Sequence, residues 1–296
     1  MNLITPERVP VSVYRWDDAN APVLDRKANC VASIFKACLV TGYGSKQPAG
    51  WSMPYEDMTT NVKVIKPPVS TEKDYLMRLS ADNGRAITVQ MYANMSNINT
   101  GTLLLQLASP YRYNGSTYAT GKWVMIASSR GFWFFTEVQD YNGQFPAQKQ
   151  GSYLYIGDTC SNANGIKNSA LTHTGGSASA SNDAYFFNMF YNQNDTQYNL
   201  YGKVYDYTLN KSSTTTKKSM FDGMTNLSTN IHLSQLTLYA NSDFYALPAF
   251  MPSNTNADNY DIVNAGLRFI NHATGIAQSN SIATSGCYIP IDHWEM

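Results

Sequence analysis

The sequence predicts an α+β fold dominated by antiparallel sheets and hairpins, with one clear N-terminal helix. Three patterns carry that expectation: an apolar stripe at helical spacing within residues 28–40, a strict alternation over residues 75–91, and an aromatic-rich alternation over residues 122–138.

The helix rests on Val31, Ile34, Phe35, Cys38 and Leu39, which recur at i, i+3, i+4, i+7 and i+8 and so line one face. The chain then reads TGYGSKQPAGW, and its Gly-x-Gly and Ser-Lys pairs raise the question of a phosphate-cradling loop. Such a loop needs a helix N-terminus after the glycines, whereas here the helix precedes them and the downstream WSMPYEDMTTNVKV shows no helical period. Gly42 is therefore expected as a left-handed C-terminal cap, and Pro48-Ala49-Gly50 keeps the helix from resuming. Gly42, Gly44, Gly50 and Trp51 are the candidate site residues, in the role of a structural turn.

Strand signals follow. Tyr75, Met77 and Leu79 alternate with polar neighbours, Asn83-Gly84 is expected to form a tight hairpin turn, and Ile87, Val89 and Met91 alternate on the return. Residues 122–127 and 132–138 make a second hairpin through Ser128-Ser129-Arg130-Gly131, and its aromatic content predicts a sheet covered on both faces. Residues 152–158 add a short strand. Residues 159–183 show no apolar period and read as a long loop or insertion. Strand-like runs resume at 184–191 and 197–209. A Ser/Thr/Lys-rich turn region, two further runs within 231–251 and a last strand over 285–294 complete the chain. Residues 1–158 and 159–296 read as two parts packed into one unit, the second rich in Asn, Ser and Thr.

Composition narrows the function. Charged residues make up 14% of the 296, well below the roughly 25% of an ordinary soluble domain, and 21 basic residues balance 21 acidic ones. Long-range attraction to nucleic acid or anionic lipid is not encoded. No basic segment leads into an apolar core at the N-terminus, and no apolar window spans a bilayer, so neither export by that route nor a membrane span is expected. Cys30, Cys38, Cys160 and Cys287 are scattered, and the first two are about 12 Å apart along a straight helix, so buried thiols are expected rather than a bridge between them. Asn94-Met95-Ser96 and Asn114-Gly115-Ser116 match the glycosylation pattern, as an Asn-rich chain does by chance.

Candidate chemistry is sparse. His173, His232, His272 and His293 share no short spacing with other ligand types, and Asp292-His293-Trp294-Glu295 alternates in a strand, so no metal or cofactor is expected. There is no Gly-x-Ser-x-Gly elbow, and Cys38 lies on the apolar stripe as a core residue. Glycoside hydrolysis needs two carboxylates on a β-scaffold. Glu137 with Asp140, and Asp17 with Asp18, follow aromatic residues, although Asp17-Asp18 also has turn chemistry.

Several segments resemble tailed-bacteriophage and prophage virion structural proteins. The similarity lies in residues 13–51, with Tyr14, Arg15, Ala19, Ala21, Pro22, Leu24, Ala37, Cys38, Leu39, Val40, Gly42, Tyr43, Gly44, Gly50 and Trp51, and more patchily in YLMRLSAD, YANMSNINTGT, KWVMIASSRGFWFF, YLYIGD and SGCYIPIDHW. Residues 159–284 are longer and richer in Asn, Ser and Thr than that pattern. The resemblance implies a non-enzymatic, assembled particle component with no catalytic residues, made in the bacterial host cytoplasm and placed in the virion. Its partners would be other virion proteins and copies of itself. A neutral surface rich in Asn and Tyr suits such docking. The alternative is a carbohydrate- or receptor-binding module of a phage particle, whose exposed aromatics would contact a host surface glycan.

Overall fold

The computed structural model describes residues 6–25, 27–68, 75–84, 86–112, 121–138, 152–161, 168–173, 201–218, 233–240, 243–252, 263–264, 267–272 and 287–296. Strand β1 (Arg8–Arg15) is followed by helix α1 (Cys30–Lys36), which runs on as a π-helical turn over Ala37–Thr41. The expected stripe is buried throughout, with Val31, Ile34, Phe35, Cys38 and Leu39 all fully inaccessible. The helix is therefore held by its packed face, since seven α-helical residues are too few to be stable alone.

Five strands, β2 (Ser52–Asp57), β3 (Val62–Lys66), β4 (Leu76–Ser80), β5 (Ala86–Asn97) and β6 (Thr100–Arg112), pair antiparallel in chain order. On this sheet Tyr75, Met77, Leu79, Ile87, Val89 and Met91 turn one face to the main core, as their alternation predicts. The opposite face carries a polar ladder, in which Arg78 Nη1 donates to Gln90 Oε1 at 2.8 Å and Gln90 Nε2 to Gln106 Oε1 at 3.1 Å.

The remaining strands are β7 (Gly121–Ser128), β8 (Gly131–Val138), β9 (Ser152–Asp158), β10 (Ser169–His173), β11 (Tyr201–Asp206), β12 (Lys211–Lys218), β13 (Leu233–Ala240), β14 (Asp243–Pro252), β15 (Val263–Asn264), β16 (Leu267–His272), β17 (Cys287–Pro290) and β18 (His293–Glu295). With β1 they form a 13-stranded sheet in the order β15-β16-β17-β14-β13-β12-β11-β10-β9-β8-β7-β1-β18. This sheet rolls over on itself. Trp133 Nε1 on β8 donates to the Pro248 carbonyl on β14 at 3.3 Å, and the Cys160 N–H just past β9 reaches the Ala246 carbonyl at 2.8 Å. Only Ile291 and Asp292 separate β17, beside β14, from β18, beside β1, so the end of the sequence spans the roll. Val9, Ile126, Trp133, Tyr155, Leu247, Ile289 and Trp294 fill the interior.

β8 is covered on both faces, as the aromatic content of its hairpin predicts, and so is β9. Phe132, Phe134, Leu154 and Ile156 face α1 and the five-stranded sheet, while Trp133 and Tyr155 face the interior of the roll. Phe35 of α1 meets Phe132 and Phe134 edge-on, each at 5.0 Å between ring centroids. Strands on both sides of residue 158 lie in the same sheet, because β9 and β10 pair from Leu154↔His173 to Asp158↔Ser169.

The chain therefore adopts the expected β-dominated α+β class, with several local corrections. Gly42 has positive φ (74°) but an extended ψ (175°), so it is not a left-handed cap. The carbonyls at the helix end are satisfied instead by the returning chain, through Ala49 N–H to Cys38 O and Trp51 N–H to Leu39 O, both 2.9 Å. Asn83-Gly84 does not form a two-residue hairpin, since the last β4–β5 pair is Ser80↔Thr88. The longer connection lets buried Asp82 reach the helix start, where its Oδ2 accepts from Ala32 N at 2.9 Å and its carbonyl from Asn29 N at 2.9 Å.

Within residues 159–183, Ser169–His173 is a strand. Within the Ser/Thr/Lys-rich segment, Lys211–Lys218 is strand β12 rather than a turn and lies between β11 and β13. Where one last strand is expected, a bend at Ile291 and Asp292 separates β17 from β18. The run at 184–191 lies outside the described residues.

Because β8 is a wall common to both cores, Phe132→Ala on one face and Trp133→Ala on the other should each destabilise the whole protein by about 3–5 kcal/mol. Denaturant unfolding monitored by far-UV and near-UV signals should remain one coincident transition. Loss of one core with the other intact would contradict this shared dependence.

Candidate functional site

Of the residues picked out as a structural turn, Gly44 lies against the loop that leaves β1, and Gly42 lies against the Lys46 turn that braces it. β1 ends at Arg15, paired with Val124, and Trp16 N–H continues the contact to the Trp123 carbonyl at 3.0 Å. The chain then turns sharply, with Asp18 N–H donating to Arg15 O at 3.2 Å and Ala21 N–H to Asp18 O at 3.0 Å, as expected from the Asp-Asp-Ala-Asn sequence.

Asp18 is the centre of the loop. Its Oδ2 accepts from Arg15 N and from the Tyr43 hydroxyl, both at 2.8 Å, and its Oδ1 lies 3.2 Å from Lys46 Nζ. Lys46 Nζ also donates to the Val13 carbonyl at 3.1 Å. Trp123 Nε1 reaches the Pro22 carbonyl at 2.9 Å, and Gly121 N–H binds Leu24 O at 2.8 Å, so the far side of the loop is tied to β7. Burial alone would raise the Asp18 carboxyl. The bonds from Arg15, Tyr43 and Lys46 outweigh it and hold the group below its ordinary value. The same environment raises the Tyr43 hydroxyl, through burial first and then its bond to the carboxylate.

The glycines permit this contact. A Cβ on Gly42, at φ 74°, would lie 2.6 Å from the Lys46 carbonyl, and one on Gly44, at φ 52°, would strike the Ala19 carbonyl. Gly50 sits in the segment that returns to the helix end. Trp51 is buried, with Nε1 donating to Ser128 O at 2.8 Å. All four residues are structural in this arrangement.

Outside this frame stands a surface that sequence reasoning named for its carboxylates beside an aromatic residue and not for docking. Trp16 is 42% exposed and Val23 56%, whereas Trp51, Trp123, Trp133 and Trp294 are all buried. Beside Trp16, Arg15 Nε and Nη2 form a two-point ion pair with Asp17 Oδ1 and Oδ2 at 2.8 and 3.1 Å. The sequence signal was an aromatic residue inside a polar turn, where no core position is available to it.

The carboxylates considered for glycoside hydrolysis are thus separated by role, Asp17 to an exposed ion pair and Asp18 to the loop's internal bonds. The side chain of Glu137 and all of Asp140 lie outside the described residues, as does His232. Among the described residues no group of three or more His, Cys, Asp or Glu is placed to hold a metal ion. Cys30, Cys38 and Cys160 are buried free thiols, and burial pushes Cys30 up to about 12 and Cys38 well above its ordinary value. No helix among the described residues is long and apolar enough to cross a membrane.

A second polar concentration sits at the opposite end of the sheet. Among the described residues, the buried polar side chains Ser128, Arg130, Asp158, Thr159, Asn168, Ser169 and Asp206 gather around the β7–β8, β9–β10 and β11–β12 connections. Most of the bonds there fasten backbone. Asn168 Oδ1 accepts from Tyr207 N at 2.9 Å, and Asp206 accepts from Leu209 N at 2.8 Å and from the Tyr245 hydroxyl at 2.6 Å. Arg130 Nη2 holds Glu7 at 2.7 and 3.0 Å, while its Nε and Nη1 are buried without a hydrogen-bond partner.

A comparison with protein-family models finds no match, and searches of curated proteins and of solved structures likewise find none.

Two outcomes are expected from the loop. Gly42→Ala and Gly44→Ala should each cost about 1 kcal/mol or more, through strain at positive φ and collision with backbone oxygen. Wild-type denaturant midpoints for both would refute the turn assignment. Asp18→Asn should cost about 1–2 kcal/mol at pH 7. The folded-state value of this carboxyl is depressed. Its contribution is therefore complete above the unfolded value of about 3.9 and is lost as pH falls through the lower folded value. The difference between wild type and Asp18→Asn in urea unfolding should shrink below about pH 4, and a gap that widens in acid would reverse the sign assigned to Asp18.

Proposed function

We propose that the chain is a structural component of a tailed-bacteriophage virion, a head, neck or tail accessory protein, acting through subunit–subunit assembly. One observation carries the reading: several of the residues that resemble the virion proteins build or brace the Trp16 loop. Tyr14 donates from its hydroxyl to Gln47 O at 2.9 Å, Pro22 accepts from Trp123, Leu24 binds Gly121, Gly44 lies against Ala19, and Tyr43 holds Asp18. In this reading the motif is a scaffold, and what it presents is an exposed tryptophan flanked by a charged pair. A rigid loop gives up little conformational freedom on docking, and Trp and Arg are the side chains on which interface energy concentrates.

The partners are other virion proteins and further copies of the chain, and the place of action is the virion, after synthesis in the bacterial host cytoplasm. A balanced net charge favours such contacts over nucleic acid. The receptor-binding alternative needs exposed tryptophans or tyrosines aligned in a groove, and four of the five tryptophans are already packed inside the protein.

Light scattering from the purified full chain, with negative-stain images, should give a mass that is a multiple of the monomer and closed symmetric particles. A monomer at every concentration, with specific binding on a glycan array, would replace assembly by receptor recognition.

A further inference from the structure

We infer that the Trp16 loop docks onto a second copy of this chain across a two-fold axis, with Arg15 of each copy meeting Asp17 of the other around the paired Trp16 rings. This rests on the assembly reading and specifies its partner. A two-fold interface brings one patch against itself, so the patch must be its own complement. The Trp16 patch has that property. Among the described residues it sets a cation beside an anion, Arg15 and Asp17, their side chains 48% and 43% exposed, joined by a 2.8 Å contact next to an indole that is 42% exposed.

Turned through half a rotation, cation faces anion on both sides of the tryptophans, and the ion pairs within each copy are exchanged for pairs between copies. A strongly acidic or strongly basic partner would set one of the two side chains against its own sign, at a cost in affinity. Copies of the chain approach without mutual repulsion, because 21 basic residues balance 21 acidic ones. The loop is already fixed by Asp18, Tyr43, Lys46 and Trp123, so docking orders little that was loose.

Charge reversal and mixing test this in the full chain. Arg15→Asp and Asp17→Arg should each raise the dimer dissociation constant, measured by sedimentation equilibrium, at least about tenfold. Trp16→Ala should raise it about thirtyfold. An equimolar mixture of the two reversal variants should regain association within about threefold of wild type as a mixed dimer. The pair within each copy is broken in both variants and in their mixture, so recovery can come only from pairing between copies.

Circular dichroism and melting of the two reversal variants should match wild type, since Arg15 and Asp17 lie on the surface. A wild type that assembles but ignores the reversals would overturn this interface while leaving the assembly reading intact. Reversals that weaken association without recovery on mixing would overturn the two-fold arrangement. A wild type that is monomeric up to its solubility limit would overturn both.

Discussion

The packing of β7, β8 and β9 on both faces is the constraint on which the rest of the protein depends. Antiparallel sheets often leave one face to water, and strands buried on both sides need apolar residues at every position. In β8 the run Phe132-Trp133-Phe134 meets that demand, sending two rings to α1 and one into the roll. Three consecutive aromatics would be a liability on an exposed sheet, so the five-stranded sheet and the helix are needed to cover one side and the curl of β10–β18 to cover the other. The short helix, the rolled sheet and the span made by β17 and β18 answer the same requirement.

The Trp16 loop inherits its rigidity from that wall. Its anchors are Trp123 on β7, the Trp16 contact with the Trp123 carbonyl, and the Tyr43–Lys46 turn at the end of the helix that packs on Phe132 and Phe134. Asp18 converts the arrangement from contact to constraint, joining the start of the turn to a tyrosine and a lysine from a separate segment. A buried or half-buried carboxylate is stable only with such partners, so its presence fixes the loop in one conformation. The apolar side chains left outside are thereby presented in a defined geometry.

Much of this was legible where physics is local. The helical stripe from Val31 to Leu39, the alternations around β4, β5, β7 and β8, and the Asp17-Asp18 turn all follow from periodicity and turn chemistry. Features made by distant residues were not legible. Asp82 serves the helix N-terminus from 50 residues away, and Ala49 and Trp51 satisfy its last carbonyls by returning past it. β12 escaped because Ser, Thr and Lys resemble a loop when read without neighbours, although Thr suits a strand held on both sides. Val9, Val11 and Val13 alternate as a strand does, but nothing local says that β1 inserts between β7 and β18. At the candidate site the tryptophan and the aspartates stood in plain view, while their supports, Tyr43, Lys46 and Trp123, came together only through the fold.

Residue-resolved amide hydrogen exchange on the full chain, at high and at low protein concentration, is the most direct measurement of whether this loop is where copies meet. Assembly through it requires protection from Trp16 to Val23 to rise with concentration, while the amides of Phe132, Trp133 and Phe134 stay equally slow at both. Equal exchange of the loop at both concentrations, or added protection confined to another part of the surface, would contradict it.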